Sequence, residues 1–164
     1  MTAVTIRDLA PRDAEACDAI ILSLPYHFGQ ESGRRDCAVA VREQPGLVAV
    51  ENDDVIGFLT FARWFDNSSE ITWMGVYRDR RRQGIGGALV QEVARRLAAE
   101  GRTLLVVLTV SPSDTDPEPP DGYRSTRAFY TKEGFELARD LAGLWDGDLP
   151  VLMVKHLSSN SGSR

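Results

Sequence analysis

Arg80, Arg81, Arg82 and Gln83 run directly into Gly84, Ile85, Gly86 and Gly87, with Arg78 just upstream. From Gln83 to Glu100 apolar residues recur at Ile85, Leu89, Val93 and Leu97, with Val90, Ala94 and Ala98 beside them. That spacing predicts a helix whose opposite face carries Gln91, Glu92, Arg95 and Arg96. The glycines therefore fall at a helix start. There the first backbone N–H groups lack internal partners, and the helix dipole adds partial positive charge. Glycines also remove the Cβ atoms that would hold an anion away. The chemistry on offer is capture of an anion against bare backbone. The structural alternative is an ordinary helix start with solvated arginines.

Two familiar anion sites do not fit. No Gly-Lys-Ser/Thr follows the glycines, which excludes an ATP-type phosphate loop. The run GIGGAL places Leu89 where a dinucleotide fingerprint needs its last glycine, and only Glu100, at a helix end, stands near the expected ribose carboxylate.

The elements around the turn read as follows. Residues 3–9 alternate like an edge strand, and Pro11 precedes a helical pattern up to Leu24. Residues 25–33 read as a loop, and 34–44 as a short helix closed by Pro45-Gly46. Residues 47–52 and 55–65 read as a hairpin turning at Asp53-Asp54, with Trp64 inside its second strand. Residues 70–77 form a strand ahead of the glycine turn. Gly101 is placed to stop the following helix, and 103–110 is a continuous apolar strand. Strand, helix and strand from 70 to 110 make a βαβ unit, whose strands should be parallel with a right-handed crossover. A polar loop with four prolines and four acidic residues (111–122) follows, then a short helix to Gly134 and a closing pair of strands. The expected organisation is a single domain over 1–157 with a disordered tail at 158–164.

Composition limits the partners. The chain has 164 residues, net charge -5 and 43% hydrophobic residues. Its acidic balance argues against nucleic-acid binding, even with arginines at 78–82. The longest apolar run, 104–110, is too short to cross a bilayer, and the first twenty residues hold no signal-type apolar core. Cys17 and Cys37 lack CxxC spacing, and His27 and His156 stand isolated, so two reduced buried thiols and no metal are expected. A cytoplasmic location is the default that follows. Trp64, Trp73 and Trp145 read as core or pocket wall.

Arg81-Arg82-Gln83-Gly84-Ile85-Gly86 fits R/Q-x-x-G-x-G/A, and here the sequence resembles the GNAT superfamily of N-acetyltransferases. EITWMGVYRDRRRQGIGGALVQEVARRL is similar to that superfamily's central strand, loop and helix, and STRAFYTKEGF to its later helix. MGV, TRAFY, GLW and LPVLMVK together resemble a bacterial branch whose function is unassigned. The resemblance covers nearly the whole chain. It implies an α/β (α+β) fold: a mixed sheet of about six to seven strands with a splayed parallel pair, flanked by about four helices. It also implies acetyl-coenzyme A as co-substrate.

The resemblance assigns roles residue by residue. The pyrophosphate would sit on the N–H groups of Gln83, Gly84, Gly86 and Gly87 around Ile85, with Arg81 and Arg82 adding charge-assisted contacts. Met74 N–H would meet the thioester oxygen, and Gly75 and Val76 would border the pantetheine; core packing is the other reading of these side chains. Tyr130 matches the family's tyrosine near the coenzyme sulfur, a general acid, with Phe129 and Thr126 beside the coenzyme. Glu70 precedes Gly84 by fourteen residues, the offset of the general-base glutamate in histone-type members; an exposed strand-end carboxylate is the alternative. Many relatives carry asparagine seven positions before the tyrosine, and this chain has Tyr123 there. Tyr26, His27 and Phe28 fall where relatives cover the acceptor, and Trp73 is a further acceptor candidate.

The expected activity is acetyl transfer to a primary amine of a small molecule or peptide, without nucleic acid or membrane as partner. The acid excess favours a cationic amine. The resemblance allows a homodimer. A non-catalytic acyl-coenzyme A sensor is the alternative, disfavoured because a sensor needs neither Tyr130 nor Glu70.

Overall fold

A computed structural model describes residues 2–24, 31–114 and 122–158. Seven strands form one sheet in the order β1-β2-β3-β4-β5-β7-β6, with one parallel pair. They are β1 (Thr5–Asp8), β2 (Gly46–Glu51), β3 (Asp54–Arg63), β4 (Ser68–Val76), β5 (Leu104–Val110), β6 (Glu136–Asp140) and β7 (Pro150–His156). Four α-helices accompany them: α1 (Ala14–Leu22), α2 (Glu31–Glu43), α3 (Ile85–Ala99) and α4 (Tyr123–Lys132). The chain divides into two compact units, Met1–Ala62 with Ile71–Val93, and Arg63–Glu70 with Ala94–Arg164.

In the first unit, β1, β2 and β3 pair antiparallel. Cys17, Ile20 and Ile21 of α1 pack with Cys37 and Val41 of α2 over Val48 and Phe58 of the sheet. Both cysteines are free, and burial pushes their thiols up to about 12, so they serve as small apolar packing groups. The hairpin turns at Asn52–Asp53, one residue earlier than the sequence suggested. Both residues adopt positive φ (51° and 68°), which Asn and Asp tolerate and which suits the twist of a two-residue turn. Helix α2 includes Glu31–Gly33, inside the span read as loop, and Glu31 and Arg35 pair across one helical turn.

In the second unit β5, β7 and β6 pair antiparallel, with Val107 opposite Met153 and Leu105 opposite Lys155. Helix α3 ends as expected: Gly101 has φ 86°, and Arg102 N–H reaches back to Leu97 O at 3.1 Å. The stripe Ile85, Leu89, Val93 and Leu97 is buried throughout.

Candidate active site

The turn before α3 is built for exposure of its backbone. A 3-10 turn at Arg78–Arg80 ends β4's exit, and Arg81 is extended (φ -68°, ψ 158°). Arg82 and Gly84 then take positive φ, 64° and 79°. A left-handed arginine is strained by about 1–2 kcal/mol, a cost that clusters at ligand-binding loops. Ala88 N–H donates to Gly84 O at 3.0 Å, which makes Gly84 the cap residue and leaves the N–H groups of Ile85, Gly86 and Gly87 without intrahelical acceptors. A Cβ on Gly84 would meet no atom within 4 Å, so the glycine is fixed by its backbone angle and not by crowding.

The arginines divide their work. Arg80 Nη1 lies 2.6 Å from Glu51 Oε2, and its Nε donates to Gln83 Oε1 at 3.2 Å. It ties the turn to the end of β2. Arg81 and Arg82 meet no carboxylate among the described residues. This clamp has no periodic signature, so the sequence could not separate Arg80 from its neighbours.

Upstream, β4 departs from simple alternation. A Cβ on Gly75 would lie 3.2 Å from both Ile20 Cγ2 and Phe58 Cε1, toward the α1–α2 layer. Trp73 packs against the same cluster. Thr72 Oγ1 meets Thr60 Oγ1 at 2.8 Å and donates to Gln44 Oε1 at 2.5 Å; Thr60 shares a face with Phe58, two residues before it. Consecutive Thr72 and Trp73 thus face one layer, a break in the strand's alternation just before Met74. Val76 returns to the opposite face, its Cγ2 3.2 Å from the Cβ position of Gly57, next to Ile85.

The second unit holds the two titratable candidates. Glu70 is half-buried, and Trp64 Nε1–H donates to its Oε2 at 2.8 Å. Burial raises its carboxyl above the ordinary value, and the indole bond opposes that rise. Tyr130, on α4, is 5% exposed, with ring edges against Phe129 and Phe135 at centroid distances of 5.1 and 5.3 Å. Burial pushes its phenol well above the usual range, so it stays protonated. Its hydroxyl has no hydrogen-bond partner among the described residues. Thr126 and Phe129 lie on the same helix, half-buried, and Arg127 Nη1 fastens α4 to Val110 O at 2.7 Å.

Met74, Gly75, Val76 and the segment Arg81–Gly87 are thus gathered in the first unit, while Glu70, Thr126, Phe129 and Tyr130 belong to the second. Tyr26, His27 and Phe28 lie outside the described residues, as do 159–164 of the tail. Trp64 corrects the sequence reading. It is 60% exposed and sits past the end of β3 in the hairpin loop, because the strand stops at Arg63. Among the described residues no cluster of His, Cys, Asp or Glu could hold a metal ion, and no helix is long and apolar enough to cross a membrane.

A family profile described as an acetyltransferase (GNAT) domain matches residues 42–137, more than half of the chain. Among solved structures, a GNAT-family protein from Desulfovibrio desulfuricans is 23% identical with a TM-score of 0.81, covering 95% of this chain and 100% of its own. The ribosomal-protein-S18-alanine N-acetyltransferase of Escherichia coli is 18% identical with a TM-score of 0.75, over 99% and 98%. A GNAT acetyltransferase from Elizabethkingia anophelis with acetyl-CoA bound is 19% identical with a TM-score of 0.68, over 94% and 98%. No curated protein matches the sequence. The structural likenesses carry the fold, the profile carries the family, and the chain belongs to the GNAT family of acetyltransferases and is an acyltransferase enzyme.

Proposed function

We propose that the protein transfers the acetyl group of acetyl-coenzyme A to a primary amine of a small molecule or peptide by direct attack on the thioester. The observation that carries this is the turn at Arg81–Gly87. Helix-start donors without internal acceptors and two arginines that meet no carboxylate among the described residues suit a pyrophosphate. Relatives solved with coenzyme A or acetyl-CoA support the same co-substrate.

In this reading β4 offers Met74 N–H to the thioester oxygen, and Gly75 and Val76 line the pantetheine. Thr126 and Phe129 border the coenzyme from α4. Trp73 belongs to the acceptor side. Glu70 removes a proton from the incoming ammonium; a carboxyl held above its usual value is the stronger base. The amine nitrogen forms its bond to the acetyl carbon as the carbon–sulfur bond breaks. The sulfur takes a proton from the Tyr130 hydroxyl, whose high pKa keeps it a donor at neutral pH. As the amide forms, its nitrogen gives up a second proton, which restores the Tyr130 hydroxyl through solvent; one proton thus ends on sulfur, and the one Glu70 took leaves to solvent. The net charge of -5 steers cationic amines toward the protein.

The test is calorimetry with acetyl-CoA, followed by coenzyme A release against a panel of amines, peptides and amino sugars. Binding that disappears in Gly86→Val and amine-dependent release support the reading; a folded Gly86→Val variant with unchanged affinity removes its basis.

A further inference from the structure

The hairpin tip after β3 exposes two large rings, Trp64 at 60% and Phe65 at 79%. It is nevertheless firmly held. Trp64 N–H donates to Ser68 O at 3.0 Å, and Asn67 O accepts from both Thr103 and Leu104 N–H. The Arg102 guanidinium donates to Phe65 O at 2.7 Å and Ser68 O at 3.0 Å. Glu100 in turn holds both Arg102 and Arg63. A tip anchored through its own carbonyls presents its rings in one fixed place, and exposed apolar surface kept in place marks interaction more than packing.

What the tip presents is specific. Its indole N–H occupies one oxygen of Glu70, at 2.8 Å. No other hydrogen bond to that carboxylate exists among the described residues, and no neighbouring charge shifts it; burial and the indole alone set its pKa. A carboxylate offers about four acceptor directions, so Oε1 is left for a group from outside. The exposed indole beside it is the best aromatic face for a cation.

Building on the role proposed above for Glu70, we infer that Trp64 is a positioning residue for that carboxylate, and that its exposed indole together with Glu70 forms the wall that receives the acceptor as an ammonium ion on an apolar stem. The indole fixes which oxygen faces the ammonium. The ring then covers the stem, and Oε1 takes the proton that must leave before attack. Neutral or anionic acceptors gain nothing from this pair.

The probe is n-butylammonium chloride, with n-butanol as its uncharged counterpart, followed by NMR of the Trp64 indole N–H and of the carbon-13-labelled Glu70 carboxyl in the full chain. The expected result is a saturable shift of both signals by n-butylammonium and none by n-butanol. Trp64→Phe keeps a ring and deletes only the donor that lowers the carboxyl, so the Glu70 titration should move upward. Trp64→Leu deletes the ring face and should weaken the probe at least fivefold. An unmoved Glu70 titration in Trp64→Phe, or an indole signal that ignores n-butylammonium, overturns the inference. Glu70→Gln is assayed alongside for turnover. Lost turnover there with an unmoved titration in Trp64→Phe refutes the Trp64 role alone, whereas unchanged turnover refutes the base role while the NMR still judges the wall.

Discussion

Replacing Gly84 by alanine isolates one feature of the anion site. The glycine has φ 79°, and the added methyl would meet no atom within 4 Å, so the folded protein suffers backbone strain without a clash. Left-handed strain of about 1–2 kcal/mol corresponds to a fall in Tm of roughly 2–8 °C for a chain of this size. Gly101, at the other end of α3, is a matched control: its φ is 86° and its Cβ position is equally open. Gly101→Ala should lower Tm by a similar amount. The two variants should part company in calorimetry with acetyl-CoA. In the proposed site the methyl at Gly84 would push the pyrophosphate away from the helix-start donors. Losing one backbone hydrogen bond to a charged group, about 1.5–3 kcal/mol, weakens binding roughly 10- to 150-fold. Gly101→Ala should leave affinity untouched. If both folded variants bind acetyl-CoA within twofold of the parent, the turn before α3 is not where the pyrophosphate sits.

Three further outcomes follow from the buried polar groups. Tyr130→Phe keeps the ring contacts and removes the proton donor, so turnover should fall roughly 10²- to 10⁴-fold at unchanged acetyl-CoA affinity; activity within twofold of the parent assigns the proton to another group. Glu70 titrates above its unfolded value, so its stabilising contribution is full below about pH 4.3 and is lost as pH rises through the folded pKa. Glu70→Gln should therefore raise Tm at pH 7, with the gain fading toward pH 4, and should erase the acid limb of the rate profile; an intact acid limb argues against the base role. Ser69 is fully buried, and its hydroxyl has no hydrogen-bond partner among the described residues. Ser69→Ala should raise stability by about 1 kcal/mol in a denaturant titration, and a loss of stability would show that the hydroxyl is satisfied in solution.

The sequence announced what periodicity and glycine can announce. The α3 stripe, its stop at Gly101 and the glycine turn were all legible, because each follows from a spacing of 3–4 residues or from a backbone angle only glycine takes easily. The helix start of α2 was missed by three residues, since Glu31–Arg35 pairing is a weak signal beside Gly33. Trp64 reads from the sequence as a strand residue in the core or a pocket wall, because large rings usually are; that its ring stays out of the core and its N–H reaches Glu70 depends on where β3 ends. The Arg80–Glu51 clamp joins residues 29 apart, and Thr72 is held by Thr60 and Gln44. Such pairings across the sheet leave no trace in local pattern. The type of chemistry was therefore readable before the fold, while the division of labour among neighbouring arginines and the surroundings of Glu70 were not.

The central claim is that this enzyme moves an acetyl group from acetyl-coenzyme A to a primary amine. Its most direct test is release of free coenzyme A thiol from acetyl-CoA by the purified protein, measured across a panel of primary amines and their uncharged analogues. The account predicts release that depends on the amine, favours cationic amines and yields the N-acetylated product in equal amount by mass spectrometry. Acetyl-CoA binding without release for any amine, or release that proceeds equally without one, would contradict it.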